Sequence, residues 1–500
     1  MLRRAFVRST LAAAAVSVPG ARSLHALYRV AGRQEADVAA VTLDGQPLTL
    51  KGEDISALAE QIRGSLLLAR HAGYDEARLI LNPTFDKRPA LVVQPTGVAD
   101  IQSAVHFARE HRLLTAVKCG GHSISGQSTC DRGMLVDLSR FRAVRVDSKA
   151  RRAWVAGGTL LGQLDYESMA QGLVTPMGTV SHTGIAGLTL GGGFGRVARR
   201  FGLAIDNLMS VDIVTADGEV RHASGIENED LYWAVRGGGG NFGIVTALEF
   251  RLHPMQREVI SGNVVFPLAR ARDVLNMYAD FAPRAADQLY FDPFMALPPG
   301  GEPGVVGVHV CYSGPLDQAE RVLGPIRRLG TPLEDGIKAM DYVDVQRAGD
   351  IDDPRAMGFY FKGGFIGEMP ETLVSALVDG FEGHPARATQ VFFQIGGGAI
   401  GRVANDATAF SHRYAMSNMM TAVTWPMGDE SAEHIAWLRQ YWSTLESFTG
   451  GFYANDMPLE ATGEMINANY RENYARLVQV KNTYDPMNLF RMNANVRPTV

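Results

Sequence analysis

A strand-like apolar run, Leu113 to Val117, feeds into Lys118-Cys119-Gly120-Gly121-His122-Ser123. Two adjacent glycines let a backbone approach a planar ring or a phosphate closely. An imidazole beside such a turn offers a nucleophilic ring nitrogen to whatever the turn holds. Three further glycine clusters follow. The first, Pro176 to Gly195, contains Gly178-Thr179-Val180-Ser181-His182-Thr183-Gly184, then Gly187 and Gly191-Gly192-Gly193. The second, Asp206-Asn207-Leu208, leads into an apolar run and the turn Ala216-Asp217-Gly218-Glu219. The third, Trp233 to Thr246, contains Gly237-Gly238-Gly239-Gly240-Asn241-Phe242-Gly243-Ile244. Loops of this kind expose backbone N–H groups, and the pyrophosphate of a dinucleotide needs many such donors in a small space. Ordinary turns between strands account for one cluster, not for four.

The third cluster also satisfies Gly-x-Gly-x-x-Gly at Gly238 to Gly243. In a nicotinamide-binding unit that motif follows a strand and opens a helix. Here Asp230 to Val235 reads as helix and Ile244 to Phe250 as strand, so the order is reversed and the match is accidental. No Gly-x-x-x-x-Gly-Lys-Ser/Thr is present, and neither the cysteines nor the histidines show a metal-ligand spacing.

These residues resemble the FAD-linked oxidases of the berberine bridge enzyme-like type, within the vanillyl-alcohol oxidase superfamily. The resemblance runs from about Ser65 to Pro498. It includes Tyr74-Asp75-Glu76-Ala77-Arg78, Asn82, Arg88-Pro89-Ala90, Ala399-Ile400, Thr408-Ala409-Phe410, His412-Arg413 and Lys481-Asn482-Thr483-Tyr484-Asp485-Pro486-Met487-Asn488-Leu489-Phe490-Arg491. It implies an α+β chain with a PCMH-type, two-subdomain FAD-binding domain and a substrate domain whose antiparallel sheet is backed by helices.

By the same resemblance His122 matches the histidine that bonds to the 8α-methyl of FAD, a link that raises the flavin's potential. Many relatives add a cysteinyl bond; that cysteine falls on Val180 here, so a single attachment is expected. Ser181 and His182 are then left as non-covalent contacts to the pyrophosphate or ring edge. Lys118, Cys119, Gly120, Gly121, Ser123, Gly178, Thr179, Gly184, Gly187, Gly192, Gly243, Ile244, Asn493 and Asn495 complete the expected cofactor set. Thr183 falls at the family's oxygen gate, where valine accompanies oxidase behaviour and leucine hinders it. Threonine matches valine in size, so oxygen access is expected.

Several relatives carry Tyr-x-Asn-Tyr late in the chain and use one of its tyrosines as base. This chain reads Tyr453-Ala454-Asn455-Asp456. A phenol with a pKa of about 10 needs a helpful environment to act as base, whereas a carboxylate is ordinarily ionised at neutral pH. Tyr453 and Asp456 are both candidates. The expected reaction passes a hydride from a C–H of an alcohol, sugar or secondary metabolite to the flavin, which O2 reoxidises to give hydrogen peroxide. A dehydrogenase with another acceptor and a non-catalytic flavin-binding protein are the alternatives.

Positioning these residues takes a large scaffold. Five hundred residues with 46% hydrophobic content can bury two or three domains' worth of core. A net charge of −5 from 48 basic and 53 acidic residues leaves no footprint for nucleic acid. No apolar run approaches the ~20 residues that span a bilayer.

Residues 1–34 carry Arg3, Arg4, Arg8, Arg22, Arg29 and Arg33 and no acid. They read as a leader of the twin-arginine export type, with a transit peptide or a disordered cytoplasmic tail as alternatives. Cys119, Cys130 and Cys311 do not make a disulfide framework and are expected to be reduced.

The FAD domain is assigned to residues 87–257, with 35–86 as its N-terminal segment. Leu91 to Val93, a helix over Val98 to Glu110 and Leu114 to Val117 read as strand, helix, strand. A substrate domain follows at 258–450. Its expected strands are Glu258 to Phe266, Leu289 to Ala296, Val305 to Tyr312, Gly358 to Phe365, Gln390 to Gly396 and Ala415 to Thr424. Its expected helices are Leu268 to Phe281, Leu316 to Leu329, Glu371 to Glu382 and Ala432 to Ser447. Residues 451–500 are expected to return to the FAD domain.

Overall fold

The computed structural model describes residues 35–351, 355–384 and 387–500; the arginine-rich leader lies outside the described residues. The first sheet runs in the order Ser65–Leu67, Leu91–Gln94, Met134–Asp137, Thr115–Lys118, with its last three strands parallel. Leu91, Val92 and Val93 are all buried, as a parallel strand covered on both faces requires. Between Leu91–Gln94 and Thr115–Lys118 the chain crosses over through the helix Val98–Glu110. Its buried residues Ile101, Ala104, Val105 and Ala108 recur at helical spacing. They share a core with Leu50 and with Ile55 and Leu58 of the helix Gly52–Gln61.

A second, antiparallel sheet runs Val220–Ser224, Leu208–Thr215, Gly243–Arg251, Arg152–Ala156, Val144–Asp147. The strand Thr115–Lys118 delivers the chain to Gly120, and Gly243–Arg251 begins at the last glycine of the third cluster.

Downstream lies an eight-stranded antiparallel sheet. Its main path runs Glu334–Asp335, Glu258–Pro267, Val305–Tyr312, Leu289–Leu297, Thr389–Ile395, Ser417–Pro426, Met357–Ile366, with Lys338–Asp341 also paired to Glu258–Pro267. Strand side chains alternate between faces. Val391, Phe393 and Ile395, with Met419 and Val423, bury one face against Val274, Leu377 and Leu438 of the helices Ala271–Phe281, Glu371–Phe381 and Ala432–Ser443. The residues between them must face the other way.

The α+β architecture expected from the sequence is the one observed, and all three cysteines are unpaired. Two segments differ from expectation. Leu316 to Leu329 is not one helix but three short pieces, Leu316–Gln318, Ala319–Val322 and Gly324–Arg327. Gly324-Pro325 interrupts the run, and proline has no N–H to continue a helix. Inside the first glycine cluster, Ile185–Gly191 forms a helix because Ile185 and Leu190 bury against the second sheet's core.

The chain then comes back. The helix Tyr474–Tyr484 places Leu477 and Val480 in the core that holds Trp233 and Phe242. Asn241 stitches the return to the third glycine cluster: its Nδ2 donates to Gly238 O (2.7 Å) and Ala494 O (3.0 Å), and its Oδ1 accepts from the Val496 N–H (2.9 Å). Beside it Lys481 Nζ donates to Asn241 O (2.7 Å), Asp485 Oδ2 (2.7 Å) and Phe490 O (3.0 Å). The Lys481 and Asp485 side chains are both 0% exposed. Breaking such a pair leaves an uncompensated buried charge. Lys481→Met is therefore expected to cost about 3–5 kcal/mol of stability, read as a lower denaturant midpoint at unchanged slope. A loss below about 1 kcal/mol would show that the Leu489 and Phe490 N–H groups, which also donate to Asp485, suffice for it.

Candidate functional site

Where the large sheet faces the two smaller ones, a cavity of about 580 Å³ opens, lined by residues from Leu81 to Ala494. Pockets that hold small molecules and cofactors commonly span ~300–1,000 Å³. Its floor comes from the glycine clusters. A Cβ added to Gly120 would lie 2.3 Å from the Gly184 nitrogen, so the Gly120-Gly121 turn and the cluster Pro176 to Gly195 touch backbone to backbone and neither position admits a side chain. At Gly187 and Gly239 an added Cβ would meet nothing within 4 Å. These two line the cavity, and backbone there is open to a ligand. Asn493 also lines it: Nδ2 donates to Phe490 O (3.1 Å), while Oδ1 is buried with no hydrogen-bond partner. Buried acceptors are ordinarily satisfied, so this oxygen awaits a donor.

His122 sits on that floor. Its Nε2 is 2.6 Å from His182 Nδ1 and its Nδ1 is 3.2 Å from Thr183 Oγ1. The Ile351 N–H donates to His182 Nε2 (3.0 Å), which puts the proton of a neutral His182 on Nδ1. That proton is directed at His122 Nε2, leaving the His122 proton on Nδ1, where it donates to Thr183. Burial foremost, with His182 beside it, lowers the His122 pKa to about 3, so the ring is neutral. The loop bearing His182 is pinned from the large-sheet domain: the Ser181 N–H (2.8 Å) and Oγ (2.6 Å) both donate to Asp350. Arg196 Nη1 donates to Thr179 O (2.9 Å), and Gln346 Nε2 donates to Gly178 O (2.8 Å).

The roof is the free face of the large sheet. Phe359, Phe361, Gln390, Phe392, Gln394, Met420, Ala422 and Thr424 line the cavity, every second residue of three strands. Asn418, opposite Gln394 in the register and on the same face of the sheet, is buried at the edge of this wall, and its Nδ2 donates to Gln394 Oε1 (3.1 Å) and Asp456 Oδ2 (2.9 Å). Burial pushes the Asp456 carboxyl up to about 7. The expectation that it is simply ionised at neutral pH is thereby corrected: an acid shut away from water, with one neutral amide donor, holds its proton far longer.

Tyr453 is buried with its ring 5.3 Å from that of Phe194, edge to face. Its hydroxyl accepts from the Gly193 N–H (2.7 Å) and from Asn455 Nδ2 (2.7 Å). Burial still raises the phenol well above its usual range.

Of the residues expected from sequence, Cys119, Gly120, Gly121, His122, Ser123, Gly178, Thr179, Thr183, Gly184, Gly187, Gly243, Ile244, Asn493, Tyr453 and Asp456 line this one cavity. Five others do not. Lys118 lies beneath the turn, its Nζ donating to Ala77 O and standing 3.5 Å from Asp137 Oδ1. Ser181 and His182 lie behind the floor and open onto an outer depression with Arg142 and Arg347. Gly192 packs its backbone against Phe410 and Tyr453. Asn495 has a buried Oδ1 without a partner but is not part of the lining. Sequence reasoning missed Asp350 and the roof. The roof carried a signal, alternation in strands already recognised; Asp350 carried none.

The comparisons agree with this geometry. Residues 89–224 match a family described as FAD binding domain, and residues 453–497 one described as berberine and berberine like. An FAD-linked oxidoreductase of Dictyostelium discoideum is 32% identical over 82% of this chain and 89% of its own. The crystal structure of 6-hydroxy-D-nicotine oxidase from Arthrobacter nicotinovorans superposes with a TM-score of 0.79 at 29% identity, covering 87% of this chain and 98% of that one. A grass pollen allergen with glucose dehydrogenase activity superposes at 0.81 with 25% identity, over 89% of this chain and all (100%) of its own. The open backbone at Gly187 and Gly239 and the unpartnered Asn493 oxygen are what a dinucleotide cofactor such as FAD requires of its floor.

Proposed function

Because the chain belongs to the FAD-linked oxidoreductases of the berberine bridge enzyme-like type, we propose that it oxidises a small organic molecule by taking a hydride from one of its C–H bonds onto FAD bonded once, through His122, with O2 as the final acceptor. The observation that carries this reading is the convergence, on one cavity, of a neutral buried imidazole on a glycine floor and a poised carboxyl in the roof.

FAD supplies the hydride acceptor. The glycine clusters and Asn493 would hold it, and His122 would fix its position by a bond from a ring nitrogen. Nucleophilic attack needs an unprotonated nitrogen, which burial provides. A second attachment through Cys119 is disfavoured because burial pushes its thiol up to about 11, and the thiolate is the nucleophile. At the roof Asp456, ionised, takes the proton from the O–H or N–H next to the reacting carbon. Tyr453 serves this role poorly, since burial makes its phenolate costly. Thr183, no larger than valine, supports O2 access. The arginine pair at the start of the chain supports twin-arginine export.

Anaerobic bleaching of the visible spectrum by a small molecule, followed by one hydrogen peroxide per turnover on admitting air, is the expected behaviour. Retention of the bleached spectrum in air would transfer the reading to a dehydrogenase. Proteolysis of the holoenzyme is expected to give one flavin-bearing peptide, containing His122; a flavin–cysteinyl peptide from Cys119, Cys130 or Cys311 would overturn single attachment.

A further inference from the structure

The roof joins an aromatic patch to an uncharged polar edge of Gln390, Gln394 and Thr424. Phe359, Phe361, Phe392 and Met420 give it an aromatic and thioether surface, with the Phe361 and Phe392 rings 6.0 Å apart across neighbouring strands. Among the described residues no lysine or arginine lines the cavity. Asp456 Oδ2 accepts from Asn418, while Oδ1 has no partner among the described residues. Gln394 spends its Oε1 on Asn418. The polar corner beside the apolar wall is therefore built around an unpaired carboxyl oxygen.

Resting on the reading that hydride removal happens here, we propose that the substrate is an aromatic molecule without negative charge, whose reacting carbon bears an O–H or N–H donated to Asp456. A carboxylate or phosphate would meet no lysine or arginine among the described lining residues and would face an acid that ionises near neutrality. A sugar would bring a hydroxyl on almost every carbon; Gln390, Gln394 and Thr424 could pair some of them, but those set against Phe359, Phe361, Phe392 and Met420 would be left without partners. An aromatic ring suits that wall, because rings pack favourably edge-on and offset and thioethers pack well on ring edges. The chemistry balances. The C–H electron pair leaves as hydride to the flavin, and the O–H or N–H proton goes to the Asp456 carboxylate. The carbon is oxidised to C=O or C=N; the hydride's two electrons and hydrogen would pass on to O2, which with the proton released by Asp456 gives hydrogen peroxide and restores the carboxylate.

The test titrates the holoenzyme anaerobically at about pH 8 with benzyl alcohol, benzylamine, D-glucose and benzoate, reading perturbation or bleaching of the flavin spectrum. Benzyl alcohol or benzylamine should act at concentrations at least about tenfold below D-glucose, and which of the two is stronger separates an alcohol from an amine substrate. Benzoate should be weakest at about pH 8 and should tighten toward about pH 6, as Asp456 takes up its proton. Phe361→Ala should weaken the better aromatic probe by about tenfold and D-glucose by less. D-glucose equal to or tighter than both aromatic probes, benzoate tighter than benzyl alcohol at about pH 8, or no spectral response to either aromatic probe at tens of millimolar would each overturn the proposal. A purified protein without flavin, or with flavin that dithionite fails to bleach, would instead overturn the functional reading beneath it.

Discussion

In His122→Ala the fluorescent flavin band on a denaturing gel should vanish completely. In the parent protein FAD is expected to survive acid precipitation and SDS, because only a covalent bond outlasts unfolding of the cavity. The variant removes the imidazole but leaves open backbone at Gly187 and Gly239 and the free Asn493 oxygen. FAD should therefore still bind and be released with the unfolded chain. A band that persists in His122→Ala would show that the attachment lies elsewhere. His182→Ala, which deletes the donor 2.6 Å from His122 Nε2, should slow attachment without abolishing it, since burial alone keeps His122 neutral.

Asp456→Asn should slow anaerobic flavin reduction by about 10²- to 10⁴-fold, the range for loss of a general base, with substrate affinity little changed. The accompanying pH profile follows from the direction of the shift. Burial favours the neutral carboxyl, so below about 7 Asp456 holds a proton and cannot take another. The parent's reduction rate should rise tenfold per pH unit toward about 7 and level off above it. Were Tyr453 the base, the rate would go on climbing into the alkaline range and Tyr453→Phe would carry the large loss. Near-normal reduction in both variants would remove this segment from the chemistry.

The elements that carry the site were legible wherever local pattern and burial agree. Val98–Glu110 and Val305–Tyr312 coincide with their expected spans because an apolar stripe or an apolar run was entered through a glycine, Gly97 or Gly304. The floor was legible from glycines, whose spacing reports close backbone approach. What stayed hidden depends on distance along the chain. Asp350 meets Ser181 across 169 positions, and Asn418 meets Asp456 only because two strands and a return segment converge. Nothing local marks Asp456 as buried, so its proton affinity was misjudged from composition alone. The helix Ile185–Gly191 was masked by its own glycines, whose helix-breaking tendency tertiary burial overrides.

The return of the chain through Tyr474–Tyr484 to Asn241 sets an order of events in biogenesis. A nascent chain ending before residue 474 already contains His122 and every glycine cluster, yet it lacks Asn493 and the stitching of Ala494 and Val496 to Asn241. The floor that would hold the cofactor is therefore complete only once the last residues of the return segment have been made and have docked on Asn241. Were the proposed bond to His122 formed, ligand linkage would no longer depend on free cofactor concentration, and reversible occupancy would become kinetic permanence.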